Sequence, residues 1–205
     1  MIIMVLALVP AFLFGIWNTG YQHSVAYQMN WNFWQMVWYG VLKIVPLYLV
    51  TYIVGLGIEF ISAQLRGHEV NEGYLVTGFI LPLIVPVDIP LWMLAIAVAF
   101  AVIFGKEVFG GTGMNIWNPA LLTRAFLFFS YPNYMSGSSC WISLRDTDKV
   151  VDGFTGATPL ALGGASAQYG TGFWDMFIGT IPGSVGETSV IAILLGAIIL
   201  IWTGI

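Results

Sequence analysis

A hydroxyl-bearing loop between apolar runs is the stretch of this sequence best suited to carry chemistry. It reads VDGFTGATPL over residues 151–160, and Thr158 stands directly before Pro159. A threonine before a helix-starting proline is placed as an N-cap, with its hydroxyl near free backbone N–H groups. An anion attached to that hydroxyl would gain from those N–H groups and from the helix dipole. The stretch therefore predicts either a plain helix cap or an attachment site for a phosphorylated group.

Small neighbours keep the Thr158 hydroxyl accessible. Gly153, Gly156 and Ala157 add little side-chain bulk beside it. The Asp152 carboxylate could help an attaching enzyme to hold a metal ion, since hard cations prefer oxygen ligands. The loop can thus hold a phosphoester, although the spacing alone does not demand one.

A glycine-rich stretch is the second candidate site. Residues 110–115 read GGTGMN, and Asn118 before Pro119 then predicts an N-capped helix to about Tyr131. The stretch matches neither the P-loop nor the dinucleotide-binding pattern. Irregular backbone at membrane depth is tolerated where it is buried in protein or lines a wet cavity. Two interpretations remain open: a broken-helix site for an ion or cofactor, or close helix packing through small residues.

Ionisable residues in apolar surroundings complete the candidates, because they are costly unless they serve a function. Arg124 lies one turn into the helix that begins at Pro119, and we expect Lys106 and Glu107 near it. Arg124 either belongs to a cofactor or ion path, or is a structural residue that forms an ion pair or extends its side chain to the membrane interface. The candidate cofactor or ion path comprises Gly110, Gly111, Gly113, Asn115, Asn118, Glu107 and Arg124.

We predict surface or interface positions for the other charged residues. Lys43 and Glu59 lie near the ends of one predicted span, where their side chains can reach the membrane interface. Asp88 falls at a turn and is expected to be solvated. The remaining assignments are surface charge for His68, interfacial charge for Asp175, and a capping box for Ser184 and Glu187.

The composition is that of an all-α polytopic membrane protein. Of 205 residues, 59% are hydrophobic and only 8% are charged, against roughly a quarter charged in soluble domains. Nine Trp and nine Tyr suit repeated contact with membrane interfaces. The net charge of −4 excludes a basic nucleic-acid-binding face. The single Cys140 excludes an internal disulfide and a cysteine-only metal site, so no metal site is assigned.

We predict one membrane domain over residues 1–205 with about six membrane segments. They cover residues 2–17, 35–61, 74–87, 89–104, 119–131 and 184–202. Pro46 is expected to kink the second segment, and the third is short enough to be bent or re-entrant. Residues 18–34 and 132–158 are expected to be polar loops, and residues 159–177 an interfacial segment. Both ends of the chain lie in apolar runs without charged flanks, which predicts truncation at both ends.

Loop charges predict the orientation, because Lys and Arg favour the cytoplasmic side. Arg66 and His68 place the loop after the second segment inside. An up-and-down path then returns the chain inside at Lys106 and outside at Pro132. The 18–34 loop, which has no Lys or Arg, also falls outside. Thr158 is therefore predicted to lie on the outer side of the membrane.

The Thr158 loop resembles the flavinylation motif Asp-Gly-x-[Ser/Thr]-Gly-Ala-Thr of a family of membrane proteins. That family includes the B subunit of Na⁺-translocating NADH:quinone oxidoreductases and the D subunit of Rnf complexes. Residues 110–120, 124–132 and 182–189 also agree with the family, in the same order. Residues 68–73 and 106–113 resemble its sodium-pump branch, and the similarity covers essentially the whole chain.

The resemblance implies a covalent cofactor and a fold. FMN would be attached to Thr158 through a phosphoester by a flavin transferase that draws on FAD, with Asp152, Gly153, Gly156 and Ala157 shaping the loop. The fold would be the first half, and one helix beyond, of a ten-helix fold similar to urea channels. The riboflavin and quinone sites of the family are not assigned within this chain.

The resemblance also implies a place in a sodium-pumping enzyme complex of the bacterial inner membrane. Electrons would reach this FMN from the covalent FMN of the C subunit and continue to riboflavin and quinone. The other partners would be the A, D, E and F subunits, Na⁺ and the lipid bilayer. The alternatives are the Rnf D subunit, served by ferredoxin, and a flavin-free transporter of the urea-channel type.

Overall fold

The computed structural model describes residues 1–67, 72–137, 140–144, 156–161 and 172–204. All regular structure in these ranges is helical, which confirms the predicted all-α class. The elements are α1 (Ile2–Ala26), α2 (Phe33–Arg66), α3 (Gly73–Ile84), α4 (Leu91–Val102), a π-helical turn (Ile103–Glu107), α5 (Pro119–Ser130), α6 (Pro132–Met135), α7 (Phe173–Ile178) and α8 (Val190–Thr203).

Two of these helices are long and apolar enough to cross a membrane. α1 has 25 residues and α2 has 34, whereas a spanning helix needs about 20. α3, α5 and α8 are shorter apolar helices. The structure therefore supports a membrane protein with two clear candidate spans. The count of six spans, the re-entrant segment and the urea-channel-like fold stay predictions.

α1 extends nine residues beyond the predicted end of the first segment, to Ala26. The polar residues expected in a loop face the protein instead. The Asn18 side chain donates to the Ile181 carbonyl (3.2 Å), and His23 Nδ1 lies 2.8 Å from the Ser143 carbonyl oxygen. The loop prediction for residues 18–26 was wrong because these polar groups are satisfied inside the fold.

α2 forms the centre of the bundle, where it contacts α1, α3, α4 and the π-helical turn. It continues through Pro46 to Arg66 and ends at Gly67, whose φ of 68° is the left-handed conformation common after a helix. Close approach to α1 depends on Gly20 and Gly40. A Cβ at either position would overlap a backbone carbonyl of the other helix, that of Met36 or Ile16.

α4 is strongly apolar and leads directly into the π-helical turn. Leu94, Ala97, Val98 and Ala101 are fully buried against α2 and α5. In the turn, the Val108 amide donates to the Ile103 carbonyl (2.9 Å), a bond across five residues. One extra residue per turn rotates the side chains that follow, and Lys106 is buried as a result.

α8 begins later than predicted, because Ser184 and Glu187 form a turn rather than a capping box. The Glu187 amide donates to the Ser184 carbonyl (3.2 Å), and the Ser184 hydroxyl donates to the Glu187 carboxylate (2.7 Å). The helix starts at Val190, where the Ser189 hydroxyl accepts from the Ala192 amide (3.3 Å). The helix packs on α1, with Gly196 in its middle against the Ala7 carbonyl.

Candidate functional site

Thr158 lines a cavity of about 520 Å³. Its wall is formed by Trp141, by residues 158–160, and by residues 176, 181–184, 187 and 188 of α7 and the α7–α8 connection. Small-molecule sites in proteins occupy roughly 300–1,000 Å³ and combine apolar walls with a few polar groups. This cavity has that size and combines apolar with polar lining residues, and Thr158 is one of them.

The Thr158 hydroxyl makes the hydrogen bond expected of a cap. It accepts from the Ala161 amide (3.3 Å), and a turn covers residues 159–161. This contact confirms the predicted capping bond; any helix that continues beyond residue 161 lies outside the described residues. Gly156 and Ala157 are buried and Thr158 is half-buried. Asp152 and Gly153 of the same loop, like His68, lie outside the described residues.

The α7–α8 connection is fixed on two other helices. The Asn18 side chain of α1 donates to the Ile181 carbonyl (3.2 Å) and to the Thr188 hydroxyl (3.4 Å). The Gly186 amide donates to the Leu83 carbonyl of α3 (3.0 Å). One wall of the Thr158 cavity is thus held by α1 and α3.

A polar network surrounds Ser143, two residues after Trp141 of the cavity wall. The Ser143 hydroxyl donates to Asp88 Oδ1 (2.9 Å), and the Leu144 amide donates to Asp88 Oδ2 (3.0 Å). Lys43 Nζ lies 3.5 Å from the same carboxylate. The Asp88 side chain is only 15% exposed, so its predicted solvation was wrong: these donors replace water. The interfacial position of Lys43 stays a prediction.

Arg124 belongs to the Thr158 cavity rather than to the glycine-rich stretch. Its Nη1 lies 3.6 Å from Glu187 Oε1, and its guanidinium carbon lies 5.8 Å from the centre of the Trp141 ring. Both partners line the cavity. The expected grouping of Arg124 with Lys106 and Glu107 was wrong, because those two residues contact α2. The structural ion pair, one of the two interpretations of Arg124, is present.

Lys106 pairs with Glu59 inside the bundle. Their side chains are 5% and 4% exposed, and the Lys106 ammonium also lies 5.8 Å from the centre of the Tyr74 ring. The neighbouring Glu107 carboxylate accepts from the Ser62 hydroxyl. Glu59 was predicted to reach the interface, which was wrong because α2 continues beyond it and the π-helical turn brings Lys106 to it.

The glycine-rich stretch lines a second cavity, of about 260 Å³. Lys106, Thr112, Asn115 and Asn118 line it, together with the starts of α1 and α3. The Thr112 hydroxyl is buried there without a hydrogen-bond partner among the described residues. The irregular backbone is accommodated by glycines with positive φ, namely Gly110 (116°), Gly111 (94°) and Gly113 (94°).

The start of α5 beside this cavity follows the prediction. Asn118 Oδ1 accepts from the Ala120 amide (2.9 Å), with Pro119 as the first helical residue. The structure thus brings Asn115 and Asn118 together with Lys106 and Thr112, and leaves Arg124 apart. Sequence reasoning missed Thr112 and the Glu59–Lys106 pair, although a lysine and a glutamate in apolar runs are a signal for such a pair.

Two helices long enough to cross a membrane, with shorter apolar helices packed on them, are the features of a membrane protein. The chain belongs to the NQR2, RnfD, RnfE family, which matches residues 1–205. The resemblance drawn from the Thr158 loop is therefore confirmed at the level of the family.

Curated relatives of this chain are named as the B subunit of Na(+)-translocating NADH-quinone reductase. That of Stutzerimonas stutzeri is 44% identical over 220 residues, covering 94% of this chain and 53% of the relative. That of Ectopseudomonas mendocina is 43% identical over 224 residues, covering 96% and 54%. That of Azotobacter vinelandii is 41% identical over 233 residues, covering 100% and 56%. The chain spans about half the length of the curated relatives it matches.

Proposed function

We propose that this chain is part of the membrane-embedded B subunit of a Na⁺-translocating NADH:quinone oxidoreductase. In the bacterial inner membrane, it carries electrons through FMN linked to Thr158 towards riboflavin and quinone, coupled to Na⁺ export. The observation that supports this function most directly is the position of Thr158 in the wall of a ligand-sized cavity, within a chain of this family.

The residues around Thr158 suit a flavin. The cavity wall offers the flat Trp141 ring and the apolar Ile181 side chain, beside the hydroxyls of Ser184 and Thr188. Bound FMN would supply reversible electron transfer, while the protein fixes its position and tunes its potential. Thr158 would supply the oxygen of the phosphoester.

Attachment requires that a flavin transferase reach the Thr158 hydroxyl. Thr158 is half-buried, so part of the residue remains exposed to an approaching enzyme. The hydroxyl oxygen would bond to the FMN phosphorus of FAD, the phosphoanhydride would break, and AMP and the hydroxyl proton would leave. Asp152, Gly153, Gly156 and Ala157 would shape the loop that presents the hydroxyl.

The glycine-rich cavity is proposed as a second cofactor site or part of an ion path. Its polar lining of Lys106, Thr112, Asn115 and Asn118 can bind a ligand with hydrogen-bonding groups. Glu107 lies beside it, bound to Ser62, whereas Arg124 serves the Thr158 cavity. The proposed partners are the A, C, D, E and F subunits of the complex, of which the C subunit donates the electrons.

Two alternatives make different demands on the same residues. The D subunit of an Rnf complex would keep the flavin on Thr158 but receive electrons that originate from ferredoxin. The names of the curated relatives favour the sodium-pump B subunit over it. A flavin-free transporter of the urea-channel type would have no use for the hydroxyl-bearing loop.

The test is the mass of the full-length protein produced together with its flavin transferase. We expect an increment equal to FMN less one water, which Thr158→Val abolishes because the attacking oxygen is removed. Ser184→Ala and Thr188→Val are matched controls, since each removes another hydroxyl of the same cavity and should keep the increment. A wild-type chain without the increment, or a Thr158→Val chain that retains it, would overturn the proposal.

A further inference from the structure

Arg124 is the described cation that contacts the wall of the Thr158 cavity. It does so through Glu187, 3.6 Å from its guanidinium, and through the face of Trp141. The other described Lys and Arg side chains lie elsewhere: Lys43 beside Asp88, Lys106 with Glu59, and Arg66 in the last turn of α2. A negative group in this cavity would therefore meet Arg124 before any of them.

The pair between Arg124 and Glu187 is loose enough to be exchanged. The 3.6 Å separation exceeds the 2.7–2.9 Å of a charge-assisted hydrogen bond. The two side chains are 35% and 58% exposed, and pairs this exposed contribute little to stability. Glu187 also accepts from the Ser184 hydroxyl (2.7 Å), so its carboxylate keeps a partner when Arg124 turns away.

A phosphodiester in this cavity would need a cation. It keeps one negative charge at neutral pH, and a charge within a largely apolar wall is costly unless it is paired. The guanidinium is suited to this role, because its planar set of donors can bind two phosphate oxygens at once. The Trp141 face beneath it limits the orientations that Arg124 can adopt.

We infer that Arg124 binds the phosphodiester formed on Thr158, and that Glu187 holds the guanidinium beside the cavity until that group arrives. This inference rests on the proposed function. Glu187 competes with the phosphate for Arg124. Its carboxylate repels the incoming phosphate and pairs with the same guanidinium. The positive charge of Arg124 is therefore needed at the flavin, whereas the negative charge of Glu187 is dispensable there.

The experiment measures how fast the transferase attaches flavin to the full-length protein, from the fluorescence of the attached flavin over time. Arg124→Gln should slow attachment on the order of tenfold, which corresponds to the loss of one charge-assisted hydrogen bond. Arg124→Lys should recover most of the rate because it keeps the charge. Glu187→Gln should leave the rate unchanged or raise it. Arg66→Gln, which removes a cation elsewhere, should match the wild type.

A spectroscopic measurement separates ion pairing from a merely structural role. The ³¹P resonance of the attached phosphodiester should shift in Arg124→Gln and should shift less in Arg124→Lys. A wild-type rate and an unshifted resonance in Arg124→Gln would overturn the inference, while FMN on wild-type Thr158 would still uphold the proposed function. Slow attachment in Glu187→Gln would also overturn it, because the pair would then act through structure alone. If Arg124→Gln does not fold, Arg124→Lys and Glu187→Gln still decide between these outcomes.

Discussion

Glu59 and Lys106 meet inside the helix bundle, where neither side chain is more than 5% exposed. Removing two charges from water carries a large desolvation penalty, which their mutual attraction repays only with good geometry. Here the geometry depends on the π-helical turn that directs Lys106 towards α2, and on Tyr74, whose ring faces the ammonium. Each charge therefore requires the other.

We predict that Glu59→Gln lowers the free energy of unfolding of the purified full-length protein by about 3–5 kcal/mol, the usual effect of leaving one buried charge unpaired. The double variant Glu59→Met with Lys106→Met should recover much of that loss. Chemical unfolding in detergent measures both. Equal stability of Glu59→Gln and wild type would show that the pair is solvated.

For individual residues, the sequence shows which charges lie in apolar runs, but it does not show which residues they contact. Arg124, Lys106 and Glu107 were interpreted as neighbouring charges in apolar surroundings, and that grouping was wrong. Proximity along the chain favoured that grouping, while the actual partners Glu187, Glu59 and Ser62 are distant in sequence. Asp88 was misjudged for the same reason, because its donors Ser143 and Leu144 come from a segment more than fifty residues away.

Helices α1 and α2 pack backbone to backbone at two glycines. Gly20 of α1 meets the Met36 carbonyl, and Gly40 of α2 meets the Ile16 carbonyl. Small residues at such crossings let membrane helices approach closely. Gly57, also in α2, has nothing within 4 Å of the place where a Cβ would stand. Gly40 and Gly57 thus differ in environment, although both lie within one helix.

Gly40→Ala is predicted to destabilise the full-length protein by about 1–3 kcal/mol, because the added methyl group overlaps the backbone of α1. Gly57→Ala is the matched control and should be neutral or stabilise by up to about 1 kcal/mol, since alanine favours a helix. Thermal unfolding of the two variants in the same detergent measures the difference. Equal melting temperatures would contradict the close packing of α1 on α2.

Most helices could be predicted from the sequence as elements, but two of their boundaries could not. The cap at Asn118 and Pro119 can be predicted from the local sequence, and the structure confirms it. The end of α1 and the start of α8 depend on distant contacts: Asn18 finds acceptors near α8, and Glu187 pairs with Arg124 instead of a cap. The π-helical turn has no local signal that distinguishes it from continued helix.

Across the whole molecule, the two described ion pairs that involve α2 lie towards opposite ends of that helix. Lys43 and its partner Asp88 lie towards the start of the helix, and Glu59 with Lys106 towards its end. These two positions are sixteen residues apart, or about 24 Å along the axis. Arg66 also lies at the end of the helix, on the Lys106 side. The positive-inside tendency then predicts that this end faces the cytoplasm and that the Thr158 loop faces outward.

We predict that a membrane-impermeant maleimide labels Leu160→Cys in intact cells and labels Leu65→Cys only after permeabilisation. Both side chains are largely exposed, at 90% and 83%. The background variant is Cys140→Ser, because burial raises the pKa of the Cys140 thiol and slows its labelling without abolishing it. The reverse labelling pattern would invert the orientation.

The attachment of α8 to α1 has a consequence for biosynthesis. The bonds that hold one wall of the Thr158 cavity join Asn18 to residues 163 and 170 positions later in the chain. At the ribosome's pace of about 5–20 residues per second, Ile181 and Thr188 are synthesised on the order of ten seconds or more after Asn18. The complete cavity therefore cannot form before residues 181–188 have been synthesised. A transferase that recognises Thr158 within the completed cavity would act on a chain only after that point.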